Sequence, residues 1–262
     1  MTDWQNIIDN GCAPPADRPV AEAVAELSLA LRSPAPVLRD EQALYLLERW
    51  IPGLDPALRR RLGDEMAERL TDPEVQARTF APLVLAELVR AGEYEPRWLA
   101  AFAAWYPAET DLRGHHPELG WLHAVAHGAD LLGALGRCPR VDPAPLLSLG
   151  AARLLAPTDH VLDAMEDGRL AYALALTLTR PELTEQQSLG WLGPVEAAFA
   201  ARRPGPVPAH LSNTVRTLRA LYLPADRGVR PARDAAPVPV THRTALLRRL
   251  AEVVAPVVPY TG

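Results

Sequence analysis

The sequence predicts an all-α fold of stacked helical hairpins of the HEAT or armadillo kind, with about a dozen helices. Three observations predict it. Alanine and leucine dominate a chain that is 48% apolar but only 6% aromatic, and β-branched residues are sparse, a composition that favours helix over strand. Asp-Pro pairs stand where helices begin, since the carboxylate caps free amides while proline fills the first turn. Polar-headed apolar segments also recur roughly every 38 to 46 residues, the period of hairpin solenoids.

Taken in order, the first such segment is "LRDEQALYLLERW" near residue 40, stopped by Pro52. Asp55-Pro56 and Asp72-Pro73 open the next two helices, the second carrying "QARTFAPLVLAEL" near residue 78 and ending at Gly92. After Pro107 comes "GWLHAVAHGADLL" near residue 123, with Gly136 as its stop. Asp142-Pro143 starts a helix that Pro157 ends. "DGRLAYALALTL" near residue 169 runs to Pro181, and "HLSNTVRTLRAL" near residue 213 runs to Pro224. Residues 224–240 read as a proline-rich loop, either a lid across a groove or a disordered segment. A helix at 241–255 caps the array. The whole chain, 1–262, reads as one helical-repeat domain.

In such an array the second helix of each hairpin lines a concave inner wall, which places Asp40, Arg78, His123, Arg169 and Asn213 along it.

Composition excludes several functions. All 27 basic residues are arginine, so a Schiff-base or phosphate-loop lysine is excluded. A net charge of −5 without a basic stripe argues against a nucleic-acid partner. Cys12 and Cys138 form no CxxC pair, so neither a disulfide framework nor a thiolate zinc site follows. The start of the chain lacks signal-peptide character and no apolar run suits a membrane span, so a soluble, cytoplasmic protein is expected.

Residues 112–135 hold four of the seven histidines. His123, His127 and Asp130 stand at i, i+4 and i+7, which share a helix face. They admit three readings: a divalent-metal site such as zinc, a metal-free acid–base or ligand-binding site, and a structural hydrogen-bond network that fixes repeat register. About 10.5 Å of axial rise separates residues 123 and 130. Asp130 therefore serves either as a third ligand or as a partner that orients His127, and further ligands are sought in His115, His116, Glu166 and Asp167. Arg113 is either an anion fork or a turn-stabilising partner of Asp111, and Arg78 and Arg169 either bridge repeats or draw anions into the groove. Trp121 is a packing anchor or an aromatic wall for a ligand. The partner at the concave face is a small molecule or a protein.

The run "DLRGHHPELGWLHAVAHGADLL", with "LRDEQALYLLERWI" before it and "EDGRLAYALALTL" after it, resembles a bacterial family known only as a domain of unknown function. The likeness spans about residues 20 to 200 and is most specific at Asp111, Arg113, Gly114, Trp121, His123, His127 and Asp130. It implies a helical fold and points at these residues without naming a reaction.

Overall fold

The computed structural model describes residues 2–258. Its first helices are α1 (Trp4–Asp9) and α2 (Val20–Ala30), followed by a π-helix over Val37–Leu44 that continues into α3 (Tyr45–Trp50). Then come α4 (Pro56–Arg69), α5 (Val75–Arg90), α6 (Pro96–Trp105), α7 (Ala124–Arg137), α8 (Pro143–Leu155) and α9 (Glu166–Leu178). The last four are α10 (Glu185–Gly190), α11 (Leu192–Ala200), α12 (Ala209–Arg227) and α13 (Arg243–Val254). The strands among the described residues are two-residue pieces, β1 (His115–His116) and β2 (Gly120–Trp121), paired antiparallel. No helix among those residues is long and apolar enough to cross a membrane.

Local chemistry explains the helix starts. The Asp55 carboxylate accepts from the Leu58 amide at 2.9 Å and the Asp142 carboxylate from the Ala144 amide at 3.1 Å, each with proline in the first turn. Asp72-Pro73 behaves differently. The Asp72 carboxylate takes the Glu74 amide at 2.9 Å, closing a short turn, and α5 begins only at Val75.

Two expected stops also fall inside helices. Gly136 lies within α7, where a Cβ would stand 2.1 Å from the Thr177 hydroxyl oxygen; it is small so that α7 and α9 can approach. α7 ends when Cys138 turns extended, just before Pro139. Pro224 lies within α12, where the ring removes one bond near the helix end, and Gly228, at φ 84°, terminates the helix. Beyond it Val229 and Val238 pair across a narrow strap, and the Tyr172 hydroxyl donates to the Arg230 carbonyl at 2.7 Å.

Helix packing follows the chain. α3 touches α5, α5 packs on α7, α7 on α9, α9 on α12, and α12 on α13. α4 packs on α5 and α6, while α8 packs on α7, α9 and α12. Leucine and alanine supply the interfaces, and buried Tyr106 fills the space left by Gly128, where a Cβ would meet its ring at 2.1 Å. As a result the N-terminal ends of α7 and α9 are neighbours.

The same substitution should therefore act with opposite sign at two glycines. Gly128→Ala should destabilise by about 2 to 3 kcal/mol through overpacking against Tyr106. Gly168→Ala, which meets nothing within 4 Å, should stabilise by about 0.5 to 1 kcal/mol through helix propensity. Urea unfolding of both variants checks this, and equal signs would refute the packing described.

Candidate functional site

The segment from 106 to 123 joins α6 to α7, and buried charge holds its start. The Glu109 carboxylate accepts from Arg78 Nε at 2.6 Å, Trp105 Nε1 at 2.9 Å and the Asp111 amide at 2.8 Å. Burial opposes its charge, but these bonds outweigh that and keep its pKa below the ordinary value. Arg153, buried in α8, donates to the carbonyls of Tyr106 and Glu109 at 2.9 and 2.8 Å. Arg113 forks onto the neighbouring Asp111 carboxylate at 2.8 and 2.5 Å. Arg78 and Arg113 are thus both engaged by carboxylates in the structure.

The β1–β2 hairpin is clamped from below by Arg39, which is fully buried on the π-helix. Its guanidinium donates to the Leu119 carbonyl at 2.6 Å, the Trp121 and Ser33 carbonyls at 3.3 Å and the Asp40 carboxylate at 2.6 Å. It also lies over the Phe80 ring at 4.5 Å. From there the rings run in an unbroken chain. Phe80 meets His127 at 5.0 Å, His127 stacks on His123 at 5.7 Å, His123 meets Trp121 at 4.5 Å, and Trp121 meets His115 at 4.9 Å.

The two helical histidines differ. His127 is buried and its Nδ1 lies 2.9 Å from the Thr79 carbonyl, so that nitrogen carries the proton. Burial pushes its pKa down to about 3. His123 is half-buried and stands outside the helix, at φ 45° and ψ 38°, a left-handed conformation that side chains with a Cβ seldom adopt. Burial, then the Arg169 charge, holds its imidazole below the ordinary range. Asp130 pairs with Arg169 on α9, with one contact at 3.1 Å. Among the described residues no group of three or more His, Cys, Asp or Glu is disposed to hold a metal ion.

A second residue converges on His123 from the start of α9. Glu166 is fully buried; one carboxylate oxygen accepts from the Ala164 amide at 2.8 Å and the other, Oε1, has no hydrogen-bond partner. Oε1 and His123 Nε2 flank Gly114, lying 2.8 and 3.7 Å from where a Cβ on that glycine would stand. Met165, just before Glu166, is likewise left-handed at φ 67° and is 75% exposed. The neighbouring helices α7 and α9 therefore both begin on a strained, non-glycine residue.

Residues 62–223 match the model of a family described as a protein of unknown function, DUF2785. The chain belongs to DUF2785. The matched region of this DUF2785 chain runs from α4 into α12 and includes His123, Glu166 and both strained helix starts. No curated protein and no solved structure matches the chain.

Of the alternatives the sequence left open, the structure brings His123, His127 and Trp121 together, pairs Arg113 with Asp111, and has Arg169 bridge to Asp130 and Arg78 to Glu109. The sequence points to Asp40 rather than its neighbour Arg39, and offers Glu166 as a helix-start acid or a supplementary ligand; it does open α9. An arginine just inside a helix, among apolar positions of the same face, was the available signal for Arg39. For Met165 no sequence signal exists.

Because folded His127 titrates at about 3 and an unfolded imidazole near 6.5, the unfolded chain takes up that proton first as pH falls. The contribution of His127 to stability should be complete above about pH 6.5. It should decline from there toward pH 3, at up to about 1.4 kcal/mol per pH unit. His127→Gln, which keeps a donor near the Thr79 carbonyl, should flatten the fall in urea midpoint between pH 6.5 and 4.5. An unchanged slope would show that His127 is protonated or solvated in the fold.

Proposed function

We propose that this DUF2785 protein is a HEAT-like hairpin array carrying a small-molecule site at the N-terminal edge of its inner helices, with His123 and Glu166 as its acid–base pair. The consecutive packing of α3, α5, α7, α9 and α12 supports the array. One observation carries the site: a fully buried carboxylate oxygen with no hydrogen-bond partner, set beside a half-buried imidazole whose backbone is strained. A buried unpaired carboxylate and a left-handed histidine each weaken a fold by about 1 to 3 kcal/mol, a burden expected where binding or chemistry uses the groups.

In this reading His127 is a structural support that sets the position of the His123 ring, and Trp121, 48% exposed, is the aromatic wall. The imidazole, neutral at pH 7, is suited to accept a proton, and Glu166 orients the group that gives it. The Asp130–Arg169 pair lies about two turns along α7 from His123. A second reading, a protein-interaction scaffold, draws on Val161, Met165 and Trp121, which leave large apolar side chains exposed along the same edge.

Stability and ligand response together test the site. Glu166→Gln and His123→Asn, the latter keeping a residue tolerant of the left-handed region, should leave the unfolding free energy within about 0.5 kcal/mol of wild type or raise it. In a thermal-shift panel of small amines, carboxylates, esters and divalent metal salts, at least one compound should raise the midpoint of wild type and of neither variant. Losses above about 1 kcal/mol in both variants, with no discriminating compound, would assign the pair to the structural network.

A further inference from the structure

The opposite ends of the same helices hold a different site. Roughly 20 Å along α7 from His123, a cleft of about 580 Å³ opens where α5, α7 and α9 finish. Arg90, Arg137 and Arg140 line it, and among the described residues lining it there is no aspartate or glutamate. Its floor is Val89, Ala134 and Leu176, and its sides are Tyr172 and Pro231.

Charge in this cleft is unbalanced. Arg90 pairs with Glu87, but neither Arg137 nor Arg140 has a carboxylate within ion-pair distance among the described residues. Arg140 gives one N–H to the Gly92 carbonyl at 2.7 Å, and Arg137 gives one to the Pro231 carbonyl at 3.4 Å. A guanidinium has five N–H donors, so most of each fork is unspent on the protein. Helix C-termini carry partial negative charge, and one arginine near each end suffices to offset it. Arg90 and Arg137 occupy the last turns of α5 and α7, whereas Arg140 lies in no helix, so the cleft carries a cation that no helix end calls for.

Tyr172 and Pro231 are fixed rather than loose. The Tyr172 hydroxyl holds the Arg230 carbonyl, so the strap after α12 closes one side of the cleft at a set height. The volume falls within the range of small-molecule sites, and an apolar floor with cations at the rim suits a ligand that is apolar at one end and anionic at the other.

We propose that this cleft binds an organic anion with an apolar body, its anionic group held by Arg137 and Arg140 and its body resting on Ala134 and Leu176 beside Tyr172. The site is separate from the His123–Glu166 pair and stands or falls independently of it.

The dye 8-anilinonaphthalene-1-sulfonate, an aromatic sulfonate, is a suitable probe. Wild-type protein should bind it with one-to-one stoichiometry, and raising sodium chloride from 50 to 500 mM should weaken binding severalfold. Arg137→Gln/Arg140→Gln should weaken it at least tenfold, while uncharged N-phenyl-1-naphthylamine should show no such change. Phenyl phosphate and phenylacetate as competitors then separate a phosphate-ester from a carboxylate ligand, since the stronger displacer names the class. Tyr222→Ala, in the apolar groove between α12 and α13, should leave the dye affinity unchanged. Three results would overturn the proposal: salt-independent binding to wild type, affinity within twofold in the double arginine variant, or loss of binding on Tyr222→Ala instead. Arg137→Gln alone, at an exposed side chain, repeats the test if the double variant is unstable, with a threefold loss expected and no loss overturning the proposal.

Discussion

The buried guanidinium of Arg39 is the interaction on which the rest of the site depends. A charge with no solvent exposure is tolerated only when its donors are matched, and Arg39 matches them with three backbone carbonyls and one carboxylate. Two of those carbonyls belong to the hairpin that carries Trp121. The π-helix places this arginine where the α6–α7 segment passes, and the wide turn of such a helix is often found near functional positions. Remove the fork and the hairpin loses its anchor, Trp121 its height and His123 its neighbour. A lysine, with three donors at a single point, cannot make the same four-way tie.

The device recurs through the chain. Arg153 holds the Tyr106 and Glu109 carbonyls, Arg180 those of Gly136 and Cys138, and Arg69 that of Ser28. Each is buried, and each ties a helix to a chain segment at least 40 residues away. The last turn of a helix and the loop after it leave carbonyls unpaired by secondary structure, and where these are buried, water cannot satisfy them. Planar arginine forks do so instead. Asn213 does the same for the segment before α9, giving its amide to the His160 carbonyl and taking the Leu162 N–H. The absence of lysine from the sequence thus has a structural counterpart in where its arginines lie.

What the sequence could express, and what it could not, follows from the range of each interaction. Helix starts at Asp55 and Asp142 were legible because a cap is a contact between residues two or three apart. The shared face of His123 and His127 was legible for the same reason, although His123 caps α7 rather than lying inside it. Asp130 was read toward the histidines because i+7 lies on their face, yet its partner is Arg169, 39 residues on, and pairing across helices leaves no local pattern. Gly136 was read as a stop because glycine commonly ends helices, whereas here it admits Thr177 of a neighbouring helix. The left-handed backbone at Met165 falls on a residue type with no preference for it, so nothing in the neighbouring letters announces it.

The placement of the two candidate sites also has a physical logic. A helix N-terminus favours a nearby carboxylate and disfavours a protonated imidazole, and it is at such ends, of α9 and α7, that Glu166 and His123 stand. Burial and the Arg169 charge act in the same sense on His123 and hold its imidazole below the ordinary range before any ligand is present. At the C-terminal ends the sign reverses, and arginines gather there. Because α5, α7 and α9 follow one another in packing order, their like ends add, one set favouring carboxylates and the other cations. Helices packed side by side in one direction produce such a polarity without a dedicated domain, and the side chains that exploit it need only be few.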